Sequence, residues 1–369
     1  MKGGPEQLGL PKHLTKGTPM PRGIVIDVSK DLPLRPHRLS PEKISEIFGG
    51  CVNYGTCVPT NTNSSPGTDH GNCCTLWCVL YQPHPNWPGG ARIALNINLN
   101  VEAGGERSIL EGDDSSENVL TDIGFPAYAG KRSPMVESAF EYGPRVGCWR
   151  LLRIFRRYDI KVSILGVVRG LQQYPELARA FFEEGHEIVS HGWRWLDYHE
   201  VSEREERQHI RLAVEGIKAL IGEPPAGWFN GRPSSNTRRL VIEHGGFLYD
   251  RDYLGDELPF WVKHADRDHL VIPFSFETND NRFDQNNGFS TAGDFATYLI
   301  DCFDFLYEEG AEAPKMMTIS LHDRLVGRPA KVVGLVKFLD HVRKHDRVWF
   351  CTGKEIAHHW RRTHPPKNA

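Results

Sequence analysis

From about residue 91 onward, short apolar runs alternate with stretches in which apolar residues recur every three or four positions. The first pattern predicts strands and the second predicts amphipathic helices, an alternation typical of βα units around a parallel sheet. The predicted strands are 92–101, 161–168, 186–191, 227–230, 247–250, 270–276, 316–321 and 348–351. The predicted helices are 145–158, 203–220, 295–307 and 331–342. Seven or eight strands over about 280 residues, each followed by a helix or long loop, favour an α/β barrel over an open doubly wound sheet. No Gly-x-Gly-x-x-Gly follows the first strand, so a dinucleotide site has no support.

Residues 1–85 lack this periodicity and are rich in Pro, Gly, Asn, Thr and Ser, which predicts an irregular N-terminal arm before a barrel domain spanning 86–369. The arm contains His70 and five of the eight cysteines: Cys51, Cys57, Cys73, Cys74 and Cys78. No Cys-x-x-Cys pair is present, and adjacent cysteines chelate a tetrahedral ion poorly. We therefore interpret residues 57–80 as a disordered insertion, or a translated intervening sequence, rather than a zinc cluster.

Composition narrows the classes of partner. The chain has 39% hydrophobic and 25% charged residues with a formal net charge of −3. This balance argues against nucleic acid and anionic membranes as partners. No signal-like N-terminus and no run of about 18 apolar residues is found, which predicts a cytoplasmic protein with no membrane segment and with thiols rather than disulfides.

The first predicted strand has an unusual polar face. Asn96, Asn98, Asn100 and Glu102 alternate with apolar residues and so share one side of the strand. Because the outer face of a barrel strand packs on helices, this polar row should point inward. Either the row is a hydrogen-bonded internal network, or Glu102 lies in a catalytic mouth at the strand end with Asn100 beside it.

Two other predicted strands end in histidine. The third runs into Ser190-His191-Gly192-Trp193-Arg194-Trp195, and the seventh into Leu321-His322-Asp323-Arg324. Carboxyl ends of parallel barrel strands meet at one face, where active sites form. We therefore predict that Glu102, His191 and His322 converge as the catalytic groups.

The order of these strand-end motifs resembles the polysaccharide deacetylase (NodB-homology) superfamily, and in detail its metal-independent allantoinase-like branch. The matching segments lie within about residues 86–365 and are Trp87-Pro-Gly-Gly-Ala-Arg-Ile, Glu102-Ala-Gly-Gly-Glu106, Glu137-Ser-Ala-Phe-Glu-Tyr-Gly143, Ser190-His-Gly-Trp-Arg-Trp195, Gly227-Trp-Phe-Asn-Gly-Arg-Pro233, Tyr249-Asp-Arg-Asp252, Asp256-Glu-Leu-Pro-Phe-Trp261, Thr278-Asn-Asp280 and Ser320-Leu-His322. The resemblance implies an α/β fold of the distorted (β/α) barrel type, NodB-like, with about seven parallel strands, and a homo-oligomer.

The departures from the family pattern bear on the metal. Metal-dependent members of the superfamily have two aspartates at the end of the first strand and a His-Ser-x-x-His motif. Here Asn100 and Glu102 replace the aspartates, and Trp195 stands where the second histidine is expected. An indole has no lone pair for a metal, and two remaining ligands fall short of the three typical of catalytic zinc. We therefore predict no metal and no cofactor, with a carboxylate or histidine as general base.

Two more strand-end residues are candidates for substrate binding. Arg232, after the fourth strand, either holds a ureido or carboxylate oxygen through its planar fork or pairs with Asp252, after the fifth, to order the loops. With Asn100 and Trp195 they complete the predicted substrate-binding set. Glu137 and Glu141, near a predicted helix start, are expected to be structural.

The resemblance and the missing ligands together favour a hydrolase of a non-peptide C–N bond, acting on a small cyclic amide and most simply converting allantoin to allantoate. One alternative is a zinc-dependent N-deacetylase of chitin or peptidoglycan. Another is a catalytically decayed barrel that serves as a binding or scaffold protein.

Overall fold

The computed structural model describes residues 82–120, 124–285 and 288–366. The predictions about residues 57–80, His70 and the five cysteines of the arm lie outside these residues. No helix in the described ranges is both long and apolar enough to cross a membrane.

Nine strands in the described residues form one strongly curled sheet. They are β1 (Ile93–Val101), β2 (Ser163–Gly166), β3 (Glu187–Ser190), β4 (Gly227–Trp228), β5 (Tyr249–Asp250), β6 (Phe260–His264), β7 (Arg267–Val271), β8 (Lys315–His322) and β9 (Val348–Phe350). The order is β6-β7-β5-β4-β3-β2-β1-β8, and β9 pairs with the start of β1. The seven strands from β7 to β8 in this sheet order are all parallel to their neighbours within this set. This arrangement confirms the predicted α/β barrel-like fold.

The two ends of this parallel set approach each other beyond β7. The chain after β7 runs alongside β8, where Asn279 and Ser320 form a parallel bridge and the Ser320 amide donates to the Thr278 carbonyl. The strand that we predicted at 270–276 therefore lies earlier, at β7, and its continuation is irregular. β6 was not predicted; it pairs antiparallel with β7 around a turn in which Ala265 has a positive φ of 53°.

The helices lie between the strands. They are α1 (Pro134–Tyr142), α2 (Cys148–Arg157), α3 (Val168–Gln173), α4 (Pro175–Glu183), α5 (Glu203–Ile221), α6 (Thr237–His244), α7 (Ala292–Glu309), α8 (Pro329–Val342) and α9 (Gly353–Thr363). The prediction of one helix at 145–158 was wrong at its start. Helical structure begins at Pro134, and a π-helical segment, Gly143–Gly147, joins α1 to α2 because Pro144 has no N–H to continue the α-helical ladder.

The polar face of β1 points into the barrel and is largely hydrogen-bonded. The buried Arg251 guanidinium donates to the side-chain oxygens of Asn96 at 2.6 Å and Asn98 at 2.8 Å. Asn100 donates to the Ser320 hydroxyl and the Leu321 carbonyl. The internal-network interpretation is therefore confirmed for the three asparagines. Both hydrogen bonds that the Asn100 amide donates go to β8.

Candidate active site

Glu102 lies directly after β1, with its side chain only 1% exposed. One carboxylate oxygen, Oε1, is 3.2 Å from His191 Nε2 and 3.6 Å from His322 Nε2. The ends of β1, β3 and β8 thus bring together the three side chains that the sequence predicted to converge. Their shared partner is a carboxylate, which can only accept a hydrogen bond while it is ionised.

A fourth group, Arg324, completes this cluster and was not predicted. Its Nη1 is 2.7 Å from Glu102 Oε2, but the N–H is not aligned for a hydrogen bond, so the contact is an ion pair that leaves both atoms able to bind another partner. Its Nε donates to the Leu120 carbonyl. Burial opposes ionisation of Glu102, but Arg324 and the two histidines outweigh it and hold the pKa of Glu102 well below its usual value.

His322 is held between two carboxylates. Its Nδ1 is 2.6 Å from Asp280 Oδ1, and the other Asp280 oxygen accepts the backbone N–H of His322. Burial would lower the pKa of this imidazole, yet Glu102 and Asp280 together raise it to about 9. At neutral pH His322 is therefore an imidazolium with both nitrogens protonated, which makes it a proton donor.

His191 differs from His322 because one of its two ring nitrogens has no hydrogen-bond partner among the described residues. Nε2 faces Glu102, whereas the buried Nδ1 has no hydrogen-bond partner among the described residues. Its ring lies 4.9 Å from the ring of Phe229, centroid to centroid. A buried polar atom without a partner is costly, so a ligand or water that bonds Nδ1 would be favoured here.

The residues of this cluster do not fit a catalytic metal. Trp195 has no lone pair, and the Arg324 cation already pairs with Glu102. A cation placed beside Arg324 would also be repelled. In the described ranges the one set of three side chains with ligand atoms within 4.8 Å of one another lies elsewhere, on the outer helices.

The predicted substrate-binding residues surround this cluster unevenly. The Arg232 guanidinium stacks on the Trp195 ring at 3.9 Å, and the Arg324 guanidinium lies 4.2 Å from the Phe140 ring and 5.5 Å from Trp195. Arg232 Nη2 is buried and unpartnered among the described residues, so this cation has a free donor. Aromatic rings and guanidinium groups thus lie beside the cluster, and both kinds of group bind flat polar molecules.

The hypothesis that Arg232 pairs with Asp252 was wrong. The Asp252 carboxylate accepts the backbone N–H groups of Asn230 and Gly231 at 2.9 to 3.1 Å, and so fixes the turn before Arg232 through the main chain. Burial and the neighbouring Asp250 raise the pKa of Asp252 to about 7. Asp252 is therefore a positioning residue for the β4 loop.

Glu106 and Asp323 were also not predicted as site residues. Burial raises the pKa of Glu106 to about 7, although it accepts a 2.6 Å hydrogen bond from the Gly104 N–H. Burial likewise raises the pKa of Asp323 to about 6, and the Cys148 thiol donates to it. Glu106 lies four residues after Glu102, and Asp323 directly follows His322. A prediction that took in every polar residue of each strand-end segment would have included both.

The cluster is closed in this structure. Glu102, His191, His322 and Arg324 are all below 5% exposed. A hollow of about 620 Å³ beside β8 is lined by Asp256, Phe274 and Thr318 among others, but by none of these four residues. The apolar group of Ala103, Val136, Phe140, Val167 and Trp195 packs beside them. A substrate therefore needs some of these side chains to move.

Comparisons with known proteins identify the class. The family model of polysaccharide deacetylases matches residues 129–245. A Schizosaccharomyces pombe protein named for polysaccharide deacetylase is 37% identical over 300 residues, which are 76% of this chain and 94% of that protein. The chain belongs to the polysaccharide deacetylase family.

Two solved structures are more similar still. A Pseudomonas aeruginosa PAO1 protein described as a polysaccharide deacetylase is 48% identical, with a TM-score of 0.76, over 78% of this chain and 96% of that one. The PuuE allantoinase is also 48% identical, with a TM-score of 0.77, over the same shares. Removal of an N-acetyl group and opening of allantoin both break a non-peptide C–N bond by hydrolysis, so the chain is a hydrolase of that general type.

Proposed function

We propose that the protein hydrolyses a cyclic amide, converting allantoin to allantoate, with water as nucleophile and without a required metal. The observation that carries this is the Arg324–Glu102 ion pair at the strand ends, in which a guanidinium and not a metal ion neutralises the carboxylate. The 48% identity to an allantoinase supports the choice of ring.

His322 acts in this mechanism as the general acid. Water adds to the ring carbonyl carbon, the ring C–N bond breaks, and the departing nitrogen needs a proton. The imidazolium of His322 supplies it from Nε2, while Asp280 holds the ring by Nδ1. General acid–base catalysis of this kind raises the reaction rate about 10²–10⁴-fold, which is less than activation of water by zinc provides. A strained hydantoin ring is more easily hydrolysed than a sugar acetamide, so the smaller rate increase is sufficient.

The proton from water passes to Glu102 or to His191. Glu102 is ionised but a weak base because Arg324 stabilises its charge. His191 offers an unpartnered Nδ1 and a second nitrogen already paired with Glu102. A histidine oriented by a carboxylate is a common arrangement for a general base. The proton taken from water then passes through Glu102, which contacts both histidines, to the neutral His322. The second proton of that water is released when the product acid ionises, so the protons balance.

The flat ureido group of allantoin fits the stacked cations. We place it beside Trp195, with its carbonyl oxygen facing the unpartnered Nη2 of Arg232. Asn100 takes a secondary part, because its amide protons bond to β8. The predicted cytoplasmic location and homo-oligomeric state belong to the same proposal.

A zinc-dependent polysaccharide N-deacetylase is the second candidate, supported by the names of the family model and of the fission yeast relative. The discriminating experiment compares turnover of allantoin with release of acetate from an acetylated chitin oligomer, each before and after extensive chelation. We expect allantoin turnover that survives chelation. Acetate release restored by zinc would establish the second candidate instead, and no turnover of either would favour a binding or scaffold protein.

A further inference from the structure

A second group of metal-ligating side chains, none of them part of the candidate active site, lies on helices α7 and α8 and just after α8. Asp304 on α7, His341 in the last turn of α8 and His345 just after α8 each offer a ligand atom, all within 4.8 Å of one another. His341 Nε2 is 2.6 Å from Asp304 Oδ1, and the two imidazole centroids are 4.9 Å apart. The Asp304 and His341 side chains are 48% and 23% exposed, so an ion can reach them from solvent.

The hydrogen bonds suit metal binding. His345 Nδ1 lies 3.2 Å from the His341 carbonyl oxygen, which can only accept, so Nδ1 carries the proton and Nε2 carries the lone pair. A metal-binding histidine usually donates its other N–H to a carbonyl or carboxylate in this way. At His341 the proton now shared with Asp304 is the one that an ion would displace.

The geometry requires little movement. Tetrahedral ligands at about 2.1 Å from zinc stand about 3.4 Å from one another, so Asp304 and His341 would separate by under about 1 Å. The Phe303 ring packs edge-on to both imidazoles and limits their rotation.

The helix dipole and the Asp304 carboxylate both favour a cation. His341 is at the C-terminal end of α8, where the helix dipole is negative. The nearby Arg343 guanidinium lies over the Phe350 ring at 5.6 Å. The exposed carboxylate of Asp304 supplies the one formal negative charge that a mixed histidine and aspartate site commonly has.

We propose that Asp304, His341 and His345 bind one divalent transition-metal ion of the zinc class, with water completing the coordination, and that the ion ties α7 to the end of α8. This site is independent of catalysis. Because the ion binds the folded chain, it should raise the melting temperature.

The test titrates Zn²⁺, and Co²⁺ as a spectroscopic probe, into the chelated full-length protein by calorimetry and visible absorption. Cysteines are alkylated beforehand, so that thiols of residues 51–78 cannot contribute. Wild-type protein is compared with Asp304→Asn, His341→Gln and His345→Gln. His358→Gln is the matched control, since His358 is an exposed histidine on α9 outside the cluster.

We expect one saturable site in wild type and in the control, with cobalt absorption of nitrogen and oxygen ligation and a zinc-dependent rise in melting temperature. Each cluster variant should weaken binding at least tenfold and lose that rise, while its metal-free melting curve and allantoin turnover stay unchanged. No saturable binding, or equal binding by wild type and the cluster variants, overturns the proposal. Neither result bears on the proposed allantoin hydrolysis.

Discussion

At the scale of single residues, Glu102 joins every other member of the candidate catalytic cluster. Glu102→Gln keeps the shape and removes the charge, so His322 loses one of the carboxylates that keep it protonated. We expect kcat/KM for allantoin to fall about 10²-fold or more. Steady-state kinetics measure it, with circular dichroism as the folding control. A change under about threefold would move the central role to His191 or His322.

The pKa of His322 gives a second prediction. With a folded pKa of about 9 and an ordinary value near 6.5, its acid form persists at neutral pH and is lost above about pH 9. The kcat/KM profile should therefore fall on the alkaline side near pH 9, and Asp280→Asn should move that limb to lower pH. An unmoved limb in Asp280→Asn would contradict the role of Asp280. The stability that His322 contributes is complete below pH 6.5 and disappears as pH rises through 9.

The raised pKa of Glu106 predicts that this carboxyl lowers the stability of the fold once it ionises, whereas the charged form of His322 stabilises it. Its folded pKa of about 7 exceeds its ordinary value of 4.5, so burial of this carboxyl costs stability as pH rises from 4.5 to 7. Glu106→Gln keeps an acceptor for the Gly104 N–H but carries no charge. Its melting temperature should exceed that of wild type at pH 8 and match it near pH 4.5, with each pKa unit worth at most about 1.4 kcal/mol. Equal melting temperatures at both pH values would show that Glu106 is solvated.

Periodicity alone brings Glu102, His191 and His322 together, because parallel strands end at one face. It does not predict Arg324 or Arg251, since a long side chain reaches several ångströms from its own strand position. The same limit applies to Arg232, which lies over the Trp195 ring and does not form the ion pair with Asp252 that was one of its two predicted roles.

At the scale of elements, glycines bring the π-helical segment against the loop after β8. A methyl group on Gly147 would clash with the Asp323 carbonyl oxygen, one residue from His322. Gly147→Ala should therefore destabilise the fold by about 1–3 kcal/mol and lower turnover by displacing His322 and Arg324. Urea unfolding and kcat measure these effects.

Gly293→Ala is the control for this variant. Its added methyl would meet only the Thr291 hydroxyl, at 3.3 Å, in the first turn of α7. If Gly147→Ala behaves like this control in both measurements, the close backbone contact does not position the catalytic loop.

Strand positions were predictable to within a few residues because apolar runs mark them, as for 186–191 and β3. The β6–β7 hairpin was missed because its turn contains Ala265 and no glycine. The π-helical segment was missed because an apolar stripe does not distinguish one helical pitch from another over five residues.

At the scale of the whole molecule, residues 57–80 lie outside the described structure, and we interpret them from the sequence as an insertion. Loop-closure cost grows slowly with length, so the barrel should tolerate their removal. We expect deletion of 57–80 to leave the melting temperature and turnover nearly unchanged. Unfolding on deletion, or release of stoichiometric zinc, would instead assign a metal cluster to the arm.

The Arg251 network that fills the barrel has a kinetic consequence. With a guanidinium bonded to Asn96 and Asn98 at the centre, the barrel is a packed interior rather than a tunnel between its two ends. If the protein hydrolyses allantoin as we propose, substrate and product must pass at the same end of the barrel, and we expect allantoate to inhibit allantoin turnover competitively.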